Sequence, residues 1–480
     1  MSTGQLRADW LLASPGQSPE QQGARLAWQD GRLVELAAAA PDGRGLIVLP
    51  GLCNAHDHAR AVRASALGAF DRPLESWLMY LGVIPGVDAY LTAASSLARS
   101  ALRGAGRVMV HYTRIQGLLP LVEEAGQVAR AARDVGVQVG FAVAMRDRQN
   151  IAYADDAAVL ASLPPGLRAQ LEPRFAKAPA SPAMQLALVD EIAAACHGPG
   201  FNVQYGPTGV QWCSDALLRA IARASADTGQ QVHMHLLETR YQREWADREF
   251  PQGIVAYLRD IGLLSPRLTL AHCTWARPEE LALIAESGAR IAVNTGSNLG
   301  IRSGIAPVAQ MLAAGCRVAM GLDGLALDED DDALRELRLL HHLHKGWGYE
   351  TAMSHAQAWR VASEQGRHAI SGIETEATLA PGARADLLVL DGRALMDDRL
   401  FEDVPVLDFV LARATAGHIH QVAVEGRTLV HQGRVLGVDY PALMRELMSS
   451  LRAALPGDEV WRAAVRALNG ELAKHHTHCC

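Results

Sequence analysis

The feature that most constrains this chain is a regular alternation of short apolar runs with longer amphipathic segments. Nearly continuous apolar runs predict strands that are covered on both faces, and amphipathic segments predict helices that connect one parallel strand to the next. Eight such units predict an α/β fold, a TIM (β/α)8 barrel with insertions. The predicted strands are 46–58, 107–113, 137–145, 201–207, 231–238, 268–275, 290–296 and 317–324.

The two ends of the chain do not follow this rhythm. Residues 385–440 contain short strand-like runs separated by turn-like breaks such as EGR and HQGR, which predict antiparallel pairing. We therefore predict one small composite β domain built from residues 1–49 and 385–440. The barrel is predicted over residues 50–384, and a C-terminal helix and tail over residues 441–480.

Composition excludes several classes of protein. Lysine and arginine total 45 against 52 aspartate and glutamate, so the net charge of −7 gives no reason to expect nucleic-acid binding. We expect no signal peptide, and we find no apolar run of the roughly 18 residues that a membrane helix needs. Seven cysteines without CxxC spacing favour a reducing compartment, so we expect a cytoplasmic protein, which could be a homo-oligomer. Residues 475–480 are expected to form a solvated, irregular end.

The pair His56 and His58 comes at the end of the first predicted strand. Residues i and i+2 of a strand share a face, so both imidazoles can point to one metal ion. An HxH pair alone is a weak signal, because this chain has five of them. Those at 342/344, in a predicted helix, and at 418/420, in the small β domain, are not expected to bind metal.

Three further strand ends carry side chains that bind metals or transfer protons. His235 closes the fifth predicted strand, and Glu238 follows three residues later. His272 lies in LAHC and Asp323 in GLDG. The carboxyl ends of barrel strands meet at one rim, where active sites form, so we predict that these side chains converge. His233 lies one step deeper in its strand and is interpreted as structural.

The motifs PGLCNAHDH, HMHLLET, LAHC, NTGSNLGIRSGIAPV and GLDG together resemble the amidohydrolase superfamily. They are most similar to its mononuclear branch of cytosine-, guanine- and adenosine-type deaminases and s-triazine hydrolases. The resemblance implies one divalent metal ion with the ligands His56, His58, His235 and Asp323. It also implies that Glu238 transfers protons and that His272, with Asp323, orients the attacking water. The strand FNVQYGP has no lysine that could bridge a second metal.

The predicted function is a metal-dependent deaminase that releases ammonia from an aminated purine-, pyrimidine-, pterin- or triazine-like heterocycle. Nitrogen-rich ligands favour Zn, with Fe(II) as the alternative metal. The small-molecule heterocycle is the expected partner, without nucleic acid or membrane. A hydrolase of the same fold that removes chloride, an alkylamine or an acyl amide is the alternative, and a non-catalytic barrel is a weaker one.

Substrate contacts are less constrained by the sequence. The resembling family often has a histidine near the position of Thr208, and its absence weakens an adenosine-deaminase interpretation. Gln211, Trp212 and Trp77 are candidates to contact a ring, although loop packing explains them equally well. The acidic run at residues 328–332 is expected to start a helix, where carboxylates favour the positive end of the helix dipole. Contact with a cationic substrate group is the alternative.

Overall fold

Two eight-stranded sheets contain all the named strands of the computed structural model, which describes residues 2–148, 151, 153, 156–175, 178–374, 376–455 and 459–477. The first sheet is built from both chain ends and has the spatial order β16-β15-β14-β13-β4-β1-β2-β3. Its strands are β1 Gly4–Leu11, β2 Gln21–Gln29, β3 Arg32–Ala38, β4 Leu46–Pro50, β13 Leu387–Asp391, β14 Ile419–Val424, β15 Arg427–His431 and β16 Arg434–Val435.

The second sheet is a parallel barrel in which spatial order follows chain order. Its strands are β5 Leu52–Asp57, β6 Ala105–Tyr112, β7 Gln138–Met145, β8 Phe201–Pro207, β9 Val232–Leu236, β10 Leu268–His272, β11 Arg290–Val293 and β12 Arg317–Met320. The ring closes beyond β12, where the backbone N–H groups of Leu322 and Asp323 donate to the carbonyl of His56 at 3.2 and 2.8 Å. The predicted barrel and the separate sheet from the chain ends are confirmed, and the domain limits stay a prediction.

Helices connect the barrel strands and cover their outer face. Up to β9 they are α1 Ala64–Leu67, α2 Leu74–Tyr80, α3 Ala89–Leu102, α4 Leu121–Val135, α5 Asp156–Ser162, α6 Pro165–Phe175, α7 Pro182–Cys196 and α8 Asp215–Thr228. Beyond β9 they are α9 Arg240–Glu249, α10 Ile254–Asp260, α11 Pro278–Ser287, α12 Thr295–Gly300, α13 Val308–Ala313, α14 Leu325–Asp328, α15 Ala333–His344 and α16 His355–Ser371. The C-terminal part adds α17 Gly392–Leu395, α18 Val406–Arg413, α19 Tyr440–Ala454 and α20 Glu459–Thr477.

Helix α8 illustrates why these segments become helices. The side chain of Ser214 accepts a hydrogen bond from the backbone N–H of Leu217 and so caps the first turn. Gly229 ends the helix with a φ of 75°, a left-handed conformation that glycine adopts without steric cost. Leu217, Leu218 and Ile221 then bury one face against the barrel core. Short-range signals therefore set the ends of the helix, and burial holds it in place.

The prediction of one continuous first strand over residues 46–58 is wrong. The run divides at Gly51, so that β4 belongs to the composite sheet and β5 to the barrel. The N–H of Gly51 donates to the carbonyl of Asp386 at this junction. A thirteen-residue strand would exceed the usual length of about 3 to 10 residues, so the apolar run serves two sheets in succession.

The ends of the last two predicted strands also differ from expectation. β11 ends at Val293 and β12 at Met320, and α12 and α14 begin shortly after them.

The acidic run was expected to start a helix, and Asp332 does cap α15 through Leu334 and Arg335. Asp328 instead ends α14, where its carboxylate accepts from the backbone of Asp330 and Asp331.

The C-terminal segment forms two helices rather than one. Helix α20 continues to Thr477, so residues 475–477 are helical and the expectation of an irregular end is wrong for them. Residues 478–480 lie outside the described part of the chain. None of the helices within the described ranges is long and apolar enough to cross a membrane.

Candidate active site

The predicted site residues all lie at the carboxyl end of the barrel strands. His56 is on β5 and His58 directly follows it, while His235 is on β9 and His272 is the last residue of β10. Asp323 lies three residues beyond β12. Two of these residues have a left-handed backbone, with φ of 74° at His272 and 63° at Asp323. Such strain costs on the order of 1–3 kcal/mol per residue and is concentrated at functional sites.

Four of these side chains approach one another closely. His58 Nε2 lies 3.1 Å from Asp323 Oδ1, and His56 Nε2 lies 3.4 Å from the same oxygen. His235 Nε2 lies 3.3 Å from His58 Nε2. All four residues are buried. The structure thus brings together the three histidines and the aspartate that were predicted from separate strand ends.

The hydrogen bonds made by the Nδ1 atoms of the imidazoles determine which ring nitrogen faces the centre of this cluster. His58 Nδ1 lies 2.7 Å from the carbonyl oxygen of His111, and His235 Nδ1 lies 2.7 Å from the carbonyl oxygen of Thr208. A carbonyl only accepts, so each Nδ1 carries the proton and each Nε2 presents a lone pair. His56 Nδ1 contacts His233 Nε2 at 2.7 Å, so its Nε2 also faces inward.

These inward lone pairs fit a divalent metal ion. Burial lowers the pKa of His235 to about 3 and the pKa values of His56 and His58 well below 6.5, so the imidazoles are neutral at neutral pH. His56 Nε2 and Asp323 Oδ1 are buried and have no hydrogen-bond partner among the described residues. Neutral nitrogens and a carboxylate that face one another in this way can hold a cation. Three histidines and one carboxylate are a donor set typical of Zn or Fe(II).

A second face of the cluster carries groups suited to proton transfer. His272 Nε2 lies 3.7 Å from Glu238 Oε1 and 3.8 Å from Asp323 Oδ2. Burial, with Asp323 and Glu75 nearby, raises the pKa of Glu238 well above its ordinary value. Such a carboxyl can hold a proton near neutral pH, as a general acid and base requires. Glu238 therefore lies beside the three histidines and Asp323, at a longer distance than those that separate these four residues.

Neighbouring polar groups hold this second face in position. His272 Nδ1 donates to Asn298 Oδ1 at 2.9 Å, and Ser297 Oγ donates to Asp323 Oδ2 at 2.8 Å. Both partners come from α12, the short helix that follows β11. Hydrogen bonds of this kind fix the tautomer and orientation of the groups that face a metal. The motif NTGSNLG was noticed in the sequence, but these two contacts were not predicted.

Two buried histidines complete the cluster. His233 contacts His56 Nδ1, so a residue interpreted as structural orients a candidate metal ligand. His111 was missed: its ring stacks on His235 with centroids 4.9 Å apart, and its carbonyl binds His58. Its place in the run RVMVHYT, at the end of a predicted strand, was the signal that could have found it.

Asp57, between the two rim histidines, takes no part in the cluster. Its Oδ2 accepts from Asn54 Nδ2 and its Oδ1 from the backbone N–H of Ala59, both at 2.7 Å. Glu75 likewise serves packing, because its Oε1 accepts from Tyr153 and Thr239 and so ties α2 to the segment after Glu238. The remaining histidines of the HxH pairs at 342/344 and 418/420 belong to no metal-compatible group among the described residues.

A cavity of about 1190 Å³ opens beside the cluster. His58, His235, Glu238 and Asp323 line it on one side, as do Trp77 and Trp212 among the predicted substrate contacts. Gln211, the third predicted contact, is buried but does not line it. Helix α20 closes another side through Trp461, Val465 and Leu468. Burial lowers the pKa of Arg60, a further lining residue, to about 10, which leaves its guanidinium charged at neutral pH.

The comparison with known proteins agrees with this arrangement. The amidohydrolase family model matches residues 47–429. The 5-methylthioadenosine/S-adenosylhomocysteine deaminase of Nitratidesulfovibrio vulgaris is 29% identical over 424 residues, covering 88% of this chain and 87% of that protein. An adenosine deaminase structure from Xanthomonas campestris, with bound zinc, has a TM-score of 0.76 at 21% identity and covers 94% of this chain and 98% of its own.

A mutant of atrazine chlorohydrolase from Arthrobacter aurescens, complexed with zinc and atraton, also has a TM-score of 0.76 at 21% identity, covering 93% of this chain and 99% of its own. At such identity the two solved structures establish the shared fold. The family model spans most of the chain, from β4 of the composite sheet through the barrel to β15. The chain therefore belongs to the amidohydrolase family.

Proposed function

We propose that this protein is a metal-dependent deaminase that hydrolyses the exocyclic C–N bond of an aminated heterocycle and releases ammonia. The observation that carries the proposal is the convergence of three imidazole lone pairs and the Asp323 carboxylate, with the high-pKa carboxyl of Glu238 beside them. The curated relative from Nitratidesulfovibrio vulgaris, whose name describes a deaminase, supports the same reaction.

In this proposal His56, His58, His235 and Asp323 hold one divalent ion, with Zn favoured over Fe(II). The ion, when bound, lowers the pKa of a water molecule from about 16 toward 7. Zinc in the two solved structures of the same fold supports this choice. Asp323 Oδ2, which already accepts from Ser297, and His272 Nε2 lie where they can orient the attacking oxygen.

Glu238 moves the protons. Its carboxylate accepts one proton from the attacking water and delivers it to a ring nitrogen. It then accepts the second proton of the same water and delivers it to the amine as the C–N bond breaks. The amine leaves as ammonia and the ring carbon keeps the oxygen as a carbonyl. Trp77 and Trp212 line the cavity and can contact the faces of the ring. The cavity is large enough for a purine-sized or larger small molecule, since ligand pockets usually measure about 300–1,000 Å³.

The test is ammonia release by the zinc-loaded protein against aminopyrimidines, aminopurines, pterins and triazines. Steady ammonia release from at least one class, lost on removal of the metal with a chelator and restored by zinc, is the expected result. Chloride and alkylamine release are measured in parallel, because the fold is shared with an atrazine chlorohydrolase. Chloride or alkylamine release without ammonia would replace the deaminase by that alternative, and a metal-free, inactive protein would support a non-catalytic barrel.

A further inference from the structure

Arg60 is a buried cation inside the candidate substrate cavity. It follows His58 by two residues and lines the same cavity as His58, Glu238 and Asp323. Its exposed fraction is 8%. A guanidinium carries five N–H donors and no acceptor, so burying it is costly unless those donors find partners. The partners of this side chain therefore indicate what the cavity is built to bind.

The guanidinium of Arg60 is only partly satisfied. Its Nη2 donates to Thr113 Oγ1 at 3.1 Å. Its Nε and Nη1 are buried and have no hydrogen-bond partner among the described residues. Within the same ranges Arg60 forms no ion pair, although the carboxylates of Asp323, Asp57 and Glu238 are near enough to act on its charge. Arg60 lines the cavity, and two of its donor nitrogens thus have no partner within the described part of the chain.

Other buried arginines of this chain are treated differently. Arg107 contacts Asp386 at 2.8 Å, and Arg243 contacts Glu280 at 2.8 Å. In both cases a carboxylate of the protein accepts the hydrogen bonds and balances the charge. Arg60 is also buried but forms no such ion pair among the described residues. The missing carboxylate, rather than the unpartnered nitrogens, distinguishes Arg60, because Arg243 Nε and Arg367 Nε are likewise buried without a hydrogen-bond partner among the described residues.

Trp77 adds a second open donor next to Arg60. The Cζ of Arg60 lies 4.9 Å from the centre of the indole ring, a cation–π distance that holds the guanidinium in place. Trp77 lines the cavity, and its Nε1 is buried without a partner among the described residues. An indole N–H only donates. The two side chains together form a patch of donors, the Arg60–Trp77 patch, that matches an acceptor and nothing else.

We propose that the Arg60–Trp77 patch binds a negatively polarised oxygen of the substrate, either a ring carbonyl or a carboxylate. The inference rests on the proposed function and narrows it: the aminated heterocycle carries such an oxygen in addition to the amine. Charge-assisted hydrogen bonds from arginine to oxygen are stronger than neutral ones, so this contact selects the substrate as well as orienting it.

A role as a counter-charge for Asp323 does not account for the patch. Asp323 contacts His56, His58 and Ser297, and among the described residues it forms no ion pair with Arg60. A residue that only balances charge would not need unpartnered donors. Both the guanidinium of Arg60 and the indole N–H of Trp77 have them. A substrate oxygen accounts for both residues at once, because it would accept the hydrogen bonds that the protein leaves unmade.

The test compares matched substrate pairs with the zinc-loaded full chain. Cytosine with 4-aminopyrimidine and guanine with 2-aminopurine differ by a ring carbonyl, and S-adenosylhomocysteine with 5-methylthioadenosine differs by a carboxylate-bearing group. We expect kcat/KM to favour the oxygen-bearing member of one type of pair by about 10- to 100-fold. Arg60→Met should remove that preference, mainly by raising KM for the oxygen-bearing member more than for the other member. Arg60→Lys should restore part of it, since the charge is kept but the planar donors are lost.

Trp77→Phe is the companion variant, because it keeps an aromatic ring near the guanidinium and removes the N–H together with the five-membered part of the indole. It should lower the preference several-fold and leave zinc content unchanged, while Tm falls because a fully buried side chain becomes smaller. Equal losses on both members of every pair, or loss of zinc in Arg60→Met, would assign these residues to packing or charge balance and overturn the inference.

A second measurement separates failure of this inference from failure of the proposed function. Calorimetric binding of the same pairs to the zinc-loaded Glu238→Gln variant, with and without Arg60→Met, does not depend on turnover. Wild-type protein that releases no ammonia from any compound overturns the deaminase. Binding that does not distinguish the members of any pair overturns the Arg60–Trp77 patch.

Discussion

Strand β6 connects two buried polar clusters that solve the same physical problem in opposite ways. At its carboxyl end, His111 joins the imidazoles of the site, whose nitrogens face one another and Asp323 without an arginine or lysine in ion-pair contact among the described residues. Near its amino end, Arg107 contacts Asp386 at 2.8 Å, and Arg367 lies 3.6 Å from the same carboxylate oxygen. We call these the rim cluster and the base cluster.

The difference shows which cluster is built for a ligand. In the base cluster, Asp386 also accepts from the backbone N–H of Glu425, so its oxygens are satisfied within the chain. Burial alone would raise the pKa of Asp386, but Arg107 and Arg367 outweigh it and hold the pKa below 3.8. The rim cluster has lone pairs where the base cluster has guanidinium groups. A cluster that stabilises the fold needs its charges balanced by other groups of the chain. A metal site instead needs ligands whose charge is balanced by the bound ion.

The largest expected effect comes from removing a ligand of the rim cluster. Asp323→Ala and His235→Ala should each abolish turnover and weaken metal retention, because the remaining donors no longer surround the ion. Turnover and zinc per chain, measured after gel filtration, check this. His418→Ala is the control, since His418 lies in the composite part and caps a turn at Thr415, and it should keep both. Full activity in either rim variant would remove that residue from the site.

The next effect concerns the proton path. Glu238→Gln should retain zinc but lose about 10²- to 10⁴-fold in kcat, because the amide cannot accept the proton of water. Steady-state ammonia release together with zinc content checks both halves. The comparison with Asp323→Ala matters here, since a parallel loss of zinc would mean that Glu238 is a ligand rather than a proton carrier.

A smaller effect is expected from the histidine behind the ligands. His233→Ala removes the partner of His56 Nδ1 and should weaken zinc affinity by about 10- to 100-fold, while saturating zinc restores most of kcat. Competition with a chelating dye measures the affinity. His233→Gln keeps a polar group of similar reach and should lose less. An affinity that stays unchanged in both variants would limit His233 to packing.

The base cluster should affect stability and not chemistry. Asp386→Ala leaves Arg107 and Arg367 buried without their counter-charge, which costs about 3–5 kcal/mol of unfolding free energy. Tm should fall clearly, while zinc content and kcat per folded molecule at low temperature stay near wild type. A loss of zinc from this variant would show that the two clusters are coupled through β6 and would break the comparison.

The contact of Asp386 with Arg107 and Arg367 predicts how the stability of the protein depends on pH. A carboxyl whose pKa is lower in the folded state stabilises the protein above its unfolded pKa, near 3.9, and this stabilisation is lost as the pH falls through the folded value. The difference in Tm between wild type and Asp386→Asn should therefore be constant from neutral pH to about pH 5 and should narrow below about pH 4. Thermal unfolding across this range checks it, and a difference that widens in acid would contradict the assignment.

Much of the rim could be predicted because its signals are local. Strand alternation puts His56 and His58 on one face, and parallel strands in a barrel bring their carboxyl ends together. His235, His272 and Asp323 were therefore found from strand ends alone. His111 also comes near a strand end, but a single histidine among apolar residues gives no sign that its backbone carbonyl will orient a neighbour.

The sequence by itself determined the alternation of elements, the order of the rim residues and the helix ends, because periodicity, capping and turn residues act over a few positions. Tertiary structure alone decided where the run 46–58 divides and which imidazole nitrogen faces inward. It also decided that Arg107 pairs with Asp386 while Arg60 forms no ion pair within the described ranges. Those outcomes depend on the register and closure of the barrel, which bring together atoms hundreds of residues apart, and no local pattern encodes such distances.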